Sequence, residues 1–84
     1  MDKDEQLFAQ LMYIFYSTAM QGMGKILHPV SNKIERNMEQ AQNAIDMLEM
    51  IRAKTKGNLS PETDRLLNTY LTDLRLNYVE EANK

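Results

Sequence analysis

From Gln6 to Gly24 the chain carries no charged side chain, and polar positions there are few. At 100° per residue, Phe8, Leu11, Met12, Phe15, Ala19, Met23 and Ile26 share one face of a helix. Leu7, Tyr13, Ile14, Tyr16 and Met20 widen that face on both sides, and Gln10, Ser17 and Gln21 form a narrow polar strip. A helix that is apolar around about two thirds of its circumference needs cover on more than one side. The pattern predicts a first helix over about 3–27. Asp2, Asp4 and Glu5 suit its N-terminal dipole, and His28-Pro29 ends it, because proline disfavours helical geometry in the residue before it. Gly22 and Gly24 lower its propensity and mark either close packing or local fraying, or a close helix crossing at an interface.

Further on, Ile34, Met38, Ala41, Ile45 and Leu48 recur at spacings of three and four, with Ala44, Met47 and Ile51 beside them. They predict a second helix over about 33–56, capped by Asn32 with Glu35 three residues on, or starting a turn later at Asn37. Its other face, Glu35, Glu39, Gln42, Asp46 and Glu49, is acidic and reads as a solvated face, with docking of a basic partner as the alternative. Gly57 suits a left-handed helix end, and Ser60-Pro61 a cap followed by a first helical residue. The third helix then runs over about 61–81, with Leu67, Tyr70, Leu71, Leu74 and Tyr78 facing inward and Leu76 projecting from the far side. The short loop makes helices 2 and 3 antiparallel neighbours. The fold class is all-α, a three-helix antiparallel bundle with a long hydrophobic first helix, completed by dimerisation.

Composition sharpens that last step. Eighty-four residues form one domain with a thin margin of burial. With no cysteine there is neither a disulfide nor a thiolate metal site, so oligomerisation is the remaining staple. The same absence fits a reducing compartment. A net charge of -2 with scattered Lys and Arg argues against nucleic acid. The acidic start is not a signal peptide, and three glutamines, Ser17, Thr18 and two glycines make 6–24 a poor membrane span.

Chemistry is sparse. The single histidine, His28, has no partner set for a metal or a nucleophile–base pair. No phosphate-binding glycine loop or Glu-x-x-His motif is present. Met20 with Met23, and Met47 with Met50, place thioethers one turn apart, a spacing that core packing explains before Cu(I) does. No catalytic residue, cofactor or metal is expected.

The second half resembles a small bacterial family of unknown function. The resemblance rests on Asn37-Met38-Glu39-Gln40-Ala41, Ile45-Asp46-Met47-Leu48-Glu49-Met50 and Lys54-Thr55-Lys56-Gly57-Asn58-Leu59-Ser60, then on Leu66-Leu67, Leu71-Thr72-Asp73-Leu74-Arg75 and Tyr78-Val79-Glu80. It implies a helical fold and a cytoplasmic setting but no activity. The most family-like residues are Lys54, Lys56 and Asn58 in the turn and Asp73, Arg75 and Tyr78 in helix 3. They read either as a cap and an inter-helix contact or as a recognition surface.

The functional expectation is a non-catalytic self-association module, with a homodimer favoured and Phe8, Leu11, Met12, Phe15, Ala19 and Met23 carrying the contact. The alternatives are an adaptor that takes another protein's helix against helix 1 and the Met-rich surface, and a membrane-peripheral protein using helix 1.

Overall fold

Three helices account for the secondary structure of the described residues, 2–84, in this computed structural model: α1 (Lys3–Gly22), α2 (Met38–Lys54) and α3 (Pro61–Ala82). Each begins on a side-chain cap. Asp2 accepts from the Glu5 amide (2.8 Å), Asn37 from the Gln40 amide (3.0 Å) and Ser60 from the Thr63 amide (3.2 Å). Pro61 follows Ser60 at the first helical position, where its missing N–H costs nothing.

α1 ends five residues before the predicted boundary, and Gly24 is the reason. Its φ of +78° is left-handed, the Lys25 amide reaches back to the Met20 carbonyl (2.9 Å), and the Gly24 amide to that of Gln21 (3.0 Å). This paired back-bonding closes the helix before Pro29 can act. α2 likewise starts at Met38 rather than near Lys33. Asn32 has φ +57°, which an N-cap does not adopt, so it turns the connector and leaves the capping to Asn37. Ile34, expected on the α2 seam, is therefore an exposed connector residue. α2 ends at Lys54, two residues early, where the Thr55 hydroxyl donates to the Ile51 carbonyl (2.7 Å).

The Gly22 carbonyl accepts from the Asn37 amide (2.7 Å), which folds α2 back antiparallel to α1. Close approach there depends on glycine: a Cβ on Gly22 would lie 2.7 Å from the Asn37 carbonyl oxygen and 2.9 Å from the Ala41 nitrogen. α3 returns antiparallel to α2, so α1 and α3 run parallel. Three polar ties join them: Glu5 Oε1 accepting from the Ser60 amide (3.2 Å), the Tyr16 hydroxyl donating to Asp73 (2.6 Å), and Lys25 paired with Glu80 and Glu81.

The core consists of Met12, Ala19 and Met23 from the first segment, Ala41, Ala44, Ile45 and Leu48 from α2, and Leu67, Leu71 and Leu74 from α3. Around it the molecule stays elongated. Its radius of gyration is 13.3 Å, against about 12 Å for a compact chain of this length. Its accessible surface is 5612 Å², against about 5,200 Å² expected for a monomer of 9.8 kDa.

Candidate functional site

The six residues expected to carry self-association are mostly taken up inside the chain's own bundle. Met12, Ala19 and Met23 are fully buried, and Phe8 and Phe15 pack half-buried against them. Of the six, only Leu11 is exposed. On α1 itself, Leu7, Leu11 and Ile14 are 50%, 42% and 58% exposed. They follow one another at spacings of four and three, so they form one stripe on the outer side of α1. Thr18 and Gln21 continue the same spacing towards the helix end. Tyr13 is also exposed, about 100° round the helix from Ile14.

The candidate recognition residues do not come together. Lys54, Lys56 and Asn58 are exposed at the α2–α3 turn, where Gly57 takes φ +86° and the Asn58 amide bonds the Thr55 carbonyl (2.9 Å). Asp73 lies about 18 Å along α3 from Pro61, at 1.5 Å per residue. Its side chain accepts from the Tyr16 hydroxyl and from Asn77 Nδ2 (3.1 Å). Arg75 bonds Glu49 of α2 through Nε (2.9 Å), and Tyr78 packs half-buried on the core. These three serve contacts between helices.

Tyr16 also stacks on Tyr70, with ring centroids 4.5 Å apart. Its hydrogen bond to Asp73, reinforced by burial, pushes the phenol up to about 12. It is a structural hydroxyl, held protonated as a donor.

At the other end of the bundle, Glu81 is only 5% exposed. Its Oε2 lies 2.7 Å from Lys84 Nζ and 2.9 Å from Lys25 Nζ. Arg36 donates to Oε1 (3.1 Å) and to the Glu81 carbonyl (2.8 Å). The Lys84 and Lys25 ammonium groups hold this carboxyl at about 2, against an ordinary value of 4.5, although burial works the other way. A carboxyl with a depressed folded-state pKa stabilises fully above its unfolded value and loses that contribution as pH falls towards the folded one. The melting temperature of the chain is therefore expected to exceed that of Glu81→Gln above pH 4.5, and the gap to close as pH falls to about 2. Thermal melts monitored by circular dichroism check this; a gap independent of pH would show that the ion cluster does not stabilise the fold.

One surface depression, about 700 Å³, is an open groove along α3 lined by Pro61, Arg65, Thr69, Thr72 and Leu76 among others. Among the described residues, no group of three or more His, Cys, Asp or Glu side chains could hold a metal ion, and no helix is long and apolar enough to cross a membrane. His28 spends Nδ1 accepting the Val30 amide (3.2 Å) in the connector.

Residues 5–80 match DUF1844, described as a domain of unknown function. The chain belongs to this family. The DUF1844 match takes in α2, nearly all of α1 and most of α3, together with the exposed stripe on α1. Glu81 and Lys84 of the ion cluster lie just beyond it. No curated protein and no solved structure matches the chain.

The sequence pattern alone did not separate the stripe from the core face. The signal that could have done so was the alternation of four and three through Leu7, Leu11, Ile14, Thr18 and Gln21, which repeats every seven residues along a line well away from Met12 and Ala19.

Proposed function

We propose that the protein is a non-catalytic self-association module, a homodimer built through the outer stripe of α1. The observation that carries this reading is the exposure of Leu7, Leu11 and Ile14 at heptad spacing on a helix with no charged side chain from Gln6 to Gly24. Water contact with three large aliphatic side chains in a row is unfavourable by about 25 cal/mol per Å² of apolar surface, and a second helix removes it. The excess surface and elongated shape of the single chain support the same reading. The proposal sets the protein in the cytoplasm, as a cysteine-free chain suits a reducing compartment.

Light scattering behind size exclusion tests it. The unsubstituted chain is expected at twice the 9.8 kDa mass of one copy. The double variant Leu11→Asp, Ile14→Asp is expected at the mass of one copy with its helical circular dichroism retained, because unpaired carboxylates cannot be buried in an apolar seam. A single-copy mass for the unsubstituted chain, or a discrete species that forms only in detergent, would sink the reading.

A further inference from the structure

We infer that His28 is a proton-operated latch in the connector between α1 and α2: neutral, its Nδ1 holds the Val30 amide, and protonated, it releases that amide and takes up the Glu35 carboxylate. The device lies within one copy of the chain and does not depend on the self-association proposed above.

Two groups of opposite demand converge on one ring nitrogen. The Val30 N–H lies 3.2 Å from Nδ1 and can only donate, so the neutral ring leaves Nδ1 bare and carries its proton on Nε2. Pro29 has no N–H, which makes Val30 the first residue after His28 able to reach back in this way. A Glu35 carboxylate oxygen, which accepts from the Ser31 hydroxyl, stands 3.8 Å from the same Nδ1, about 1 Å beyond hydrogen-bond length. An ionised carboxylate can only accept. Nδ1 therefore serves Val30 without a proton and Glu35 with one, and it cannot serve both. Protonation sets two donors, Nδ1–H and the Val30 N–H, against each other. The ring is 35% and the Glu35 side chain 55% exposed, so protons reach both from solvent. Water also screens the ion pair, and loss of the acceptor for Val30 is the larger effect.

The ends of the connector are anchored, which confines the change to its middle. The Lys25 amide bonds the Met20 carbonyl, and its ammonium group pairs with Glu80 and Glu81. Arg36 is held by Glu81, which Lys84 also contacts, and the Asn37 amide by the Gly22 carbonyl. Glu81, held at about 2, stays ionised wherever imidazoles titrate. Among the described residues, Glu35 is the carboxylate in ion-pair range of the His28 ring. Lys33, the other charged residue of the turn, meets His28 through its backbone carbonyl, which accepts the His28 amide (2.8 Å).

Nuclear magnetic resonance of the isotope-labelled full chain tests the latch between about pH 8 and about pH 5.5, where imidazoles change charge and carboxylates stay mostly ionised. At the upper pH the ring is expected to carry its proton on Nε2. On acidification, solvent exchange of the Val30 amide, relative to its intrinsic rate, is expected to rise about fivefold, the worth of one neutral hydrogen bond. The Glu35 carboxyl carbon should shift with the same midpoint as the His28 ring, while the helical circular dichroism stays constant. In His28→Gln neither reporter should show that midpoint. A proton on Nδ1 at the upper pH, or a Val30 amide that exchanges alike at both, overturns the latch. So does a Val30 response that persists in His28→Gln, because another group would then be its source. If Val30 is released while the Glu35 carbon keeps its shift, the exchange of partners falls. A helical signal lost over the same range would show that the anchors give way, and the latch falls with them.

Discussion

Met12→Asp is expected to unfold the chain. Met12 is fully buried between α1 and the rest of the core, so the substitution removes a large apolar side chain and strands a carboxyl group. Loss of the buried methionine atoms costs about 2–5 kcal/mol, and the unsatisfied polar group about 1–3 kcal/mol more. A domain of this length has a total stability of about 4–13 kcal/mol. Circular dichroism at room temperature should show loss of most helical signal, while Met12→Leu, which nearly conserves volume, costs less than about 1.5 kcal/mol and keeps it. The next residue towards the N-terminus, Leu11, lies on the outer stripe, and an aspartate there leaves the helices in place. If Met12→Asp melts like the unsubstituted chain, the burial assigned to α1 is wrong, and the outer stripe assigned by exclusion goes with it.

The second large effect sits at the α1–α2 corner. Gly22→Ala is expected to lower stability by about 1–3 kcal/mol, the usual range for overpacking. Alanine is the better helix former by about 1 kcal/mol, which works in the opposite direction and makes the sign informative. The clash should prevail because the added methyl meets backbone on both sides, the Asn37 oxygen at 2.7 Å and the Ala41 nitrogen at 2.9 Å. Backbone cannot rotate away as a side-chain tip can. Any shift also stretches the bond from the Asn37 amide to the Gly22 carbonyl and so disturbs the cap of α2. Urea titration measures the change. A midpoint equal to or above that of the unsubstituted chain would mean that the crossing has slack.

How far the sequence reveals this molecule depends on whether a feature is encoded locally. The α2–α3 turn was legible because Gly57, Ser60 and Pro61 each impose one backbone requirement on their own position, and α3 starts where they say. The end of α1 was not. Pro29 sets only the latest point at which a helix can stop, and the earlier stop needed Gly24 to be read as a left-handed cap rather than a loss of propensity. Asn37 against Asn32 was a choice between two equally good caps, settled by Asn32 turning left-handed in the connector. The candidate site was the least legible part. A helix apolar around most of its circumference shows that several faces need cover but not which of them the chain covers itself. Met12, Ala19 and Met23 went to the core, and Leu7, Leu11 and Ile14 to the surface. That division is set by where the buried residues of α2 and α3 pack against α1, which is long-range information.

The order of the helices along the chain has a consequence for biosynthesis. α1 precedes both of the helices that cover it, so it is made before its core face or its outer stripe can be buried. At ordinary elongation rates, α2 and α3 follow over on the order of several seconds. Until they are made, the uncharged segment from Gln6 to Gly24 has no helix of its own chain to pack against. Asp2, Asp4 and Glu5 immediately before it are charged flanks of the kind that oppose association of exposed apolar segments.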